Sequence, residues 1–447
     1  FLTDFFDIYV TGNGKAKDSR VVDYYGEDEP IELGPDENMH DVMVELIAKQ
    51  AERRGYLLGS GIMSSKKVGI NHKEFGVTSQ GVVRFAEVAM KKLGIDMHQD
   101  PFTVKLTGGP NGDVAGNAMQ LLLDRCPKVK ICLIIDGTGA FYDPRGADHE
   151  ALSEIVLKQD LDAFDQTALH PGGLILYRNQ TKQDGLRKLF KKISYTASGL
   201  KEQWITTDEF YRDYNQLMFT VSTDLFIPAG GRPETLDGNN YERFFDEKGA
   251  PSAKLIVEGA NSFITPKARI ELQKRGVVIL RDASANKCGV ISSSYEIIAN
   301  LLMSEKEFLS SKEEYVNDVI EILNRRAADE AELIFRRAKL SSAPVLYTEI
   351  SARISQEINA HYSRLFSFFQ SNPELCSKPL YRKAILLHLP RLIGKLGRFR
   401  KRIDDLPEKI KYAILASEIA SSLVYKSNEE ASYIDMIEGH LGQLESL

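Results

Sequence analysis

The residues whose types and spacing are best suited to chemistry are a glycine-rich turn and one carboxylate downstream of it. The apolar run Phe102-Thr-Val-Lys-Leu106 passes into Thr107-Gly-Gly-Pro-Asn-Gly-Asp-Val-Ala-Gly-Asn117, and a helical stretch from Ala118 to Asp124 follows. A glycine turn between strand and helix lets backbone N–H groups approach a pyrophosphate, which then rests on the positive end of the helix. Gly109, Gly112 and Gly116 supply the bare backbone, with Asp113 and Val114 between them. Their spacing is G-x-x-G-x-x-x-G, not G-x-G-x-x-G, so taken alone they fit a plain tight turn equally well. The next apolar run, Val129 to Ile135, ends in Asp136, 24 residues after Gly112. An acidic residue about 20 positions on accepts hydrogen bonds from the adenosine ribose and repels a 2′-phosphate. Asp136 therefore argues for NAD over NADP, the alternative being a turn aspartate before Gly137.

Two further strand ends belong to the same constellation, because ligands of such sheets lie beyond the carboxyl ends of the strands. Asp224-Leu-Phe-Ile227 leads into Pro228-Ala-Gly-Gly231, where Ala229 and Gly230 leave room for the nicotinamide half. Lys254–Val257 leads into Glu258-Gly-Ala-Asn261, and the Asn261 amide can bond a ribose.

The elements that must position these residues fall into three zones. The first, 1–97, combines an opening helix, a loop from Gly12 to Asp18, a short strand at 30–33, and helices near 38–54 and 79–93. The second, 98–303, has candidate strands at 102–107, 129–136, 173–177, 223–228, 254–258 and 277–280, alternating with helical patterns. That alternation predicts βαβ units and a mostly parallel sheet. The third, 304–447, opens within a stretch free of glycine from Val290 to Ile393, which favours long helices. Ser310-Ser-Lys-Glu313 and Thr348-Glu-Ile350 resemble helix starts.

At 447 residues the chain exceeds what one core supports, and 43% hydrophobic residues with 27% charged match an ordinary soluble protein. A formal charge of -6 gives no general reason to expect nucleic acid or an anionic membrane as partner. No run approaches the roughly 18 apolar residues of a membrane span. The cysteines Cys126, Cys132, Cys288 and Cys376 are scattered, which points to reduced thiols, a cytoplasmic setting and no metal centre. The first residue is Phe1, on what reads as the apolar face of a helix, so an absent N-terminal portion is expected. The basic run Lys395 to Arg402, followed by Asp404 and Asp405, reads as a solvated helix end or subunit contact. Cys288 reads as a small filler, and His72 is the one histidine beside a candidate site.

Six segments together resemble the glutamate dehydrogenase family in order and spacing. They are Leu33-Gly-Pro-Asp-Glu-Asn38, Gly69-Ile-Asn-His-Lys-Glu-Phe-Gly-Val-Thr-Ser-Gln-Gly81, Gly108-Gly-Pro-Asn-Gly-Asp113, Asp224 through Glu234, Ile256-Val-Glu-Gly-Ala-Asn261, and Asp282-Ala-Ser-Ala-Asn-Lys-Cys-Gly-Val290 with Ser293. Several look specifically like the large NAD-specific members, and the match covers about residues 20–300. The resemblance implies an α/β fold: part of a substrate domain at 1–97, a Rossmann-type NAD domain at 98–303, and a C-terminal helical region at 304–447. It also implies oxidative deamination of L-glutamate to 2-oxoglutarate and ammonia with NAD, in a homo-oligomer.

The resemblance also assigns roles. Asp36 matches the catalytic aspartate, which exchanges protons with the substrate amino group, work that suits a carboxylate beside an ammonium. Thr78 and Ser79 match positions near the nicotinamide and substrate, and they would also serve as N-caps of the 79–93 helix. Ser293 matches a ligand of the substrate γ-carboxylate, in a register blurred by Ser292 and Ser294. Asn261 and Asn286 match residues that bind the nicotinamide ribose and carboxamide. One departure stands out. The family's lysines, in a G-G-x-K-G-G segment ahead of the catalytic aspartate, have no counterpart here, and Lys15 in Gly12-Asn-Gly-Lys15 reads as a solvated surface lysine. The chain is therefore expected to bind NAD but to turn over glutamate poorly or not at all. A dehydrogenase of another amino acid and a non-catalytic NAD-binding module are the competing readings.

Overall fold

A sheet of nine strands carries the molecule, and the side of β1 on which the chain adds each strand determines where a ligand fits. The computed structural model describes residues 33–34, 39–53, 63–64, 69–341 and 345–426. Ahead of the sheet come α1 (Asp41–Arg53), the single turn α2 (His72–Phe75) and α3 (Val77–Lys92). Then β1 (Phe102–Thr107), α4 (Asp113–Arg125) and β2 (Val129–Asp136) form a βαβ unit with parallel strands. After β3 (Gly139–Tyr142) and α5 (His149–Lys158), three strands follow in succession: β4 (Leu174–Asp184), β5 (Arg187–Thr196) and β6 (Gly199–Thr206). Helix α6 (Thr207–Thr220) returns the chain to β7 (Thr223–Pro228), β8 (Ala253–Val257), α7 (Pro266–Lys274) and β9 (Val278–Leu280).

The strand order is β6-β5-β4-β3-β2-β1-β7-β8-β9. From β2 to β9 all neighbours are parallel, while β3 to β6 extend the sheet as an antiparallel meander. The chain leaves β1 toward β2 and later comes back to its other side at β7. That reversal opens a crevice at the carboxyl ends of β1 and β7. The parallel strands are covered on both faces, which is why they read as apolar runs. Lys105 in β1 is an exception: fully buried, its Nζ donates to the carbonyls of Met218 (2.8 Å), Val221 (2.9 Å) and Ser252 (3.0 Å) and to the Ser252 hydroxyl (2.7 Å).

Beyond β9, α8 (Asp282–Ala285) and α9 (Cys288–Leu302) lead into an entirely helical region: α10 (Glu305–Leu340), α11 (Tyr347–Ser371), α12 (Pro379–His388), α13 (Arg391–Lys395), α14 (Gly397–Arg402) and α15 (Glu408–Lys426). Its core is continuous with that of the sheet, with Tyr315, Val319 and Leu323 of α10 and Val82, Phe85 and Ala89 of α3 in one buried cluster.

Several boundaries differ from the sequence expectation. Ser310–Glu313 does not start a helix but lies inside α10, because Ser304 and Glu307 close a capping box six residues earlier. Thr348 is within the first turn of α11, whose cap position is Leu346. Helix α3 starts at Val77 behind Gly76, which adopts φ +57, so Thr78 and Ser79 are first-turn residues and not caps. The basic run is held by α10: Arg402 donates to both Glu307 oxygens (2.7 and 3.0 Å) and Lys395 to Glu314 (3.1 Å).

Candidate cofactor site

The floor of the crevice is built from backbone. Gly108 sits at φ +95, where a side chain is strained, and a Cβ there would come within 2.9 Å of the Gly230 nitrogen. The two strand ends are tied together: Ala229 N–H donates to the Thr107 carbonyl (2.9 Å) and the Thr107 hydroxyl to the Gly230 carbonyl (2.6 Å). Gly112 takes the N-cap position of α4, and Gly116 lies in the following turn against the Pro110 carbonyl. Val114 packs over Gly259, joining the start of α4 to the end of β8. The Asp113 carboxylate accepts from its neighbour, Val114 N–H (2.8 Å), in the first turn of α4.

At one end of this floor stands Asp136, the last residue of β2. A Cβ on Gly109 would lie 2.0 Å from its Oδ2, so the carboxylate fills the space that the absent side chain leaves. Thr138 orients it, donating from its N–H (3.2 Å) and hydroxyl (2.9 Å).

At the other end, Asn286 Nδ2 donates to Asn261 Oδ1 (2.6 Å) and to the Gly259 carbonyl (3.1 Å). These residues, 25 positions apart, are therefore brought together. Sequence reasoning missed what holds them. Glu258, fully buried at the end of β8, receives Arg269 at both oxygens, with Nε to Oε1 at 2.8 Å. Arg269 Nη2 also reaches Asp282 Oδ1 (3.2 Å), and Asp282 Oδ2 accepts from Ser262 N–H (2.8 Å). Burial pushes the Glu258 carboxyl up from its ordinary range, with Arg269 opposing. Burial works the same way on Asp282, but the Ser262 N–H and Arg269 outweigh it and hold that carboxyl down. The available signal was an acid inside an apolar strand end, Ile256-Val-Glu258, followed by an arginine on the buried side of the next helix.

Along the rim lies a third group. A Cβ on Gly289 would meet the Thr78 hydroxyl at 2.6 Å, which puts Thr78 at the start of α9. His72 Nε2 is 3.3 Å from the Ser292 hydroxyl, and burial lowers the pKa of that imidazole. Ser293 is half-buried, its hydroxyl 3.5 Å from the Gly289 carbonyl. Ser79 donates to the Val114 carbonyl (2.8 Å) and Lys73 to Asn111 (2.9 Å), so α2 and α3 brace the glycine turn. Cys288 is buried against Gly81, and burial pushes its thiol up to about 11. Asp36 and Lys15 lie outside the described residues.

The family model for glutamate/leucine/phenylalanine/valine dehydrogenases matches residues 69–344. The chain belongs to this family. It is 32% identical to a probable NAD-specific glutamate dehydrogenase of Schizosaccharomyces pombe, across 96% of this chain and 38% of that protein. Glutamate dehydrogenase 2 of Dictyostelium discoideum is 30% identical, across 93% and 39%, and the NAD-specific glutamate dehydrogenase of Neurospora crassa 27%, across 99% and 41%. The chain thus spans about two fifths of the length of these curated relatives. A solved structure of Plasmodium falciparum glutamate dehydrogenase 2 is 17% identical with a TM-score of 0.48, covering 78% of this chain and 62% of that one. Within the family domain, the matched range takes in every residue of the crevice described above.

Proposed function

We propose that this chain forms the NAD site of an enzyme that oxidatively deaminates L-glutamate to 2-oxoglutarate and ammonia. The observation that carries the reading is the crevice itself: a floor of bare backbone, a carboxylate at one end and a pair of carboxamides at the other. A dinucleotide fits this arrangement, because Gly108, Gly116 and Gly230 let main chain pack directly on main chain and keep the turn tight at the start of α4. NAD, when bound, supplies the hydride acceptor. Gly109, Gly112 and Gly116 shape the turn that receives the phosphates, with Asp113 and Val114 opening the helix beneath them. Asp136 accepts from the adenosine ribose and disfavours a 2′-phosphate. Ala229 and Gly230 leave room for the nicotinamide ribose, and Asn261 and Asn286 orient its ring. Thr78 and Ser293 face the substrate side, and Asp36 moves the proton of the substrate amino group.

Residues 1–97 would contribute to the substrate half, 98–303 the NAD domain, and 304–447 a helical region packed against it. The same reading places the protein in the cytoplasm as a homo-oligomer that acts on small molecules. No helix among the described residues is long and apolar enough to cross a membrane.

Titration with NADH and NADPH, followed by nicotinamide fluorescence, tests the cofactor. NADH is expected to bind at least tenfold more tightly, the discrimination that about 1.4 kcal/mol provides. Equal affinities would overturn the assignment to NAD. Adding 2-oxo acids to the NADH-loaded protein tests the substrate: 2-oxoglutarate should change the nicotinamide emission, and a response to a branched 2-oxo acid alone would favour a different amino acid.

A further inference from the structure

We propose that α15, the last of the described helices, completes the nicotinamide end of the cofactor site, its Tyr425 acting with Glu330 of α10 to hold Lys287 and thereby Asn286. The proposal rests on the reading of Asn286 as a nicotinamide-side residue.

Helices α8 and α9 are joined by only two residues, Asn286 and Lys287. The Asn286 side chain turns into the crevice, onto Gly259 and Asn261. The Lys287 side chain instead reaches the helical region, where its Nζ pairs with Glu330 and donates to the Tyr425 hydroxyl (3.0 Å). Tyr425 in turn donates to the same Glu330 oxygen (2.7 Å), and its ring lies 5.6 Å from the lysine nitrogen. Arg336 caps the arrangement by donating to the Tyr425 carbonyl (3.1 Å). A connection of two residues between helices has little slack. The position of the Lys287 backbone therefore sets that of the Asn286 carboxamide.

Glu330 is 1% exposed, and its second oxygen, Oε1, has no hydrogen-bond partner among the described residues. A buried carboxylate is costly unless compensated, so its presence depends on Lys287 and Tyr425. The three groups come from α10, α15 and the α8–α9 turn, and removing any one unbalances the other two. A second polar cluster anchors the same helix: Glu418 of α15 accepts from Arg326 (3.4 Å) and lies 3.2 Å from His388 Nδ1. Glu418 fastens α15 to the helical region, whereas Tyr425 couples it to the cofactor turn. Lys287, Glu330 and Tyr425 are accordingly positioning residues that touch no substrate.

The test compares two ligands that share the glycine turn and Asp136 but differ at the nicotinamide: NADH and ADP-ribose. In Tyr425→Phe, which keeps the ring and removes one hydroxyl, NADH affinity should fall about tenfold, the scale of a lost hydrogen bond to a charged group. ADP-ribose affinity should stay within about twofold. Lys287→Met should show the same split more strongly, and Lys287→Arg should restore part of the NADH affinity. Parallel losses for both ligands, or no loss for either, would reduce the triad to a fold-stabilising contact and overturn the proposal. Wild-type protein that binds neither ligand would instead overturn the cofactor reading on which it depends. Should Lys287→Met fail to fold, the nearly isosteric Tyr425→Phe decides.

Discussion

The two ends of the crevice are constructed on different principles. Where β1 meets β7, main chain touches main chain, and the geometry depends on what side chains are not there: Gly108 against Gly230, Gly109 beneath Asp136. Where β8 meets β9, geometry depends on charged side chains, with Glu258, Arg269 and Asp282 interlocked below Asn261 and Asn286. A backbone-built site fails when an atom is added. An ionic one fails when an atom is removed, because the surviving charge remains buried without compensation.

Breaking the ionic end gives the largest expected effect. Arg269→Leu leaves two carboxylates stranded and should cost about 3–5 kcal/mol, read as a lowered midpoint in urea unfolding. Gly108→Ala attacks the other end. Its Cβ meets the Gly230 backbone at a positive φ, and about 2 kcal/mol of stability should go with it, together with most NADH binding. Should Gly108→Ala prove neutral in both assays, the floor is not backbone-limited.

Asp136→Ser has a smaller, selective effect. The NADH-over-NADPH preference should shrink by about 1–2 kcal/mol in paired titrations, with stability little changed. A further effect concerns acid. Burial would raise the Glu418 carboxyl, but His388 and Arg326 override it and hold it down to about 2. A carboxyl depressed in the fold contributes stability above its unfolded pKa and loses it as pH falls through the folded value. Stability should therefore decline from about pH 4.5 toward 2. Glu418→Gln should flatten that limb in melts recorded across the range.

The backbone-built end was legible in the sequence and the ionic end was not, for a physical reason. Parallel strands buried on both faces appear as uninterrupted apolar runs, and a glycine turn is visible where it stands, so β1, β2, β7 and Asp136 could be read in place, while α4 begins at Asp113, five residues ahead of the expected Ala118. An ion pair has no local signature: Arg269 lies 11 positions from Glu258, and Lys287 lies 43 and 138 from its partners. The meander escaped notice because β5 and β6 are largely solvated strands rich in lysine, as Arg187-Lys-Leu-Phe-Lys-Lys192 shows. The helix start at Ser304 was missed for the opposite reason. Ser310 and Ser311 offer the same residue types without the reciprocal bonds that Glu307 makes.

Lys105 has a practical consequence. Its ammonium is enclosed by four oxygens beneath the aromatic faces of Phe226 and Phe244, and burial pushes its pKa well below the usual lysine range. An amine-acylating reagent has no route to this nitrogen while β1 stays in register. Exposed lysines will label at once, and this one only when the central strand leaves the sheet. Peptide mapping of a timed labelling series would make Lys105 an internal clock for global opening, read from within β1 itself.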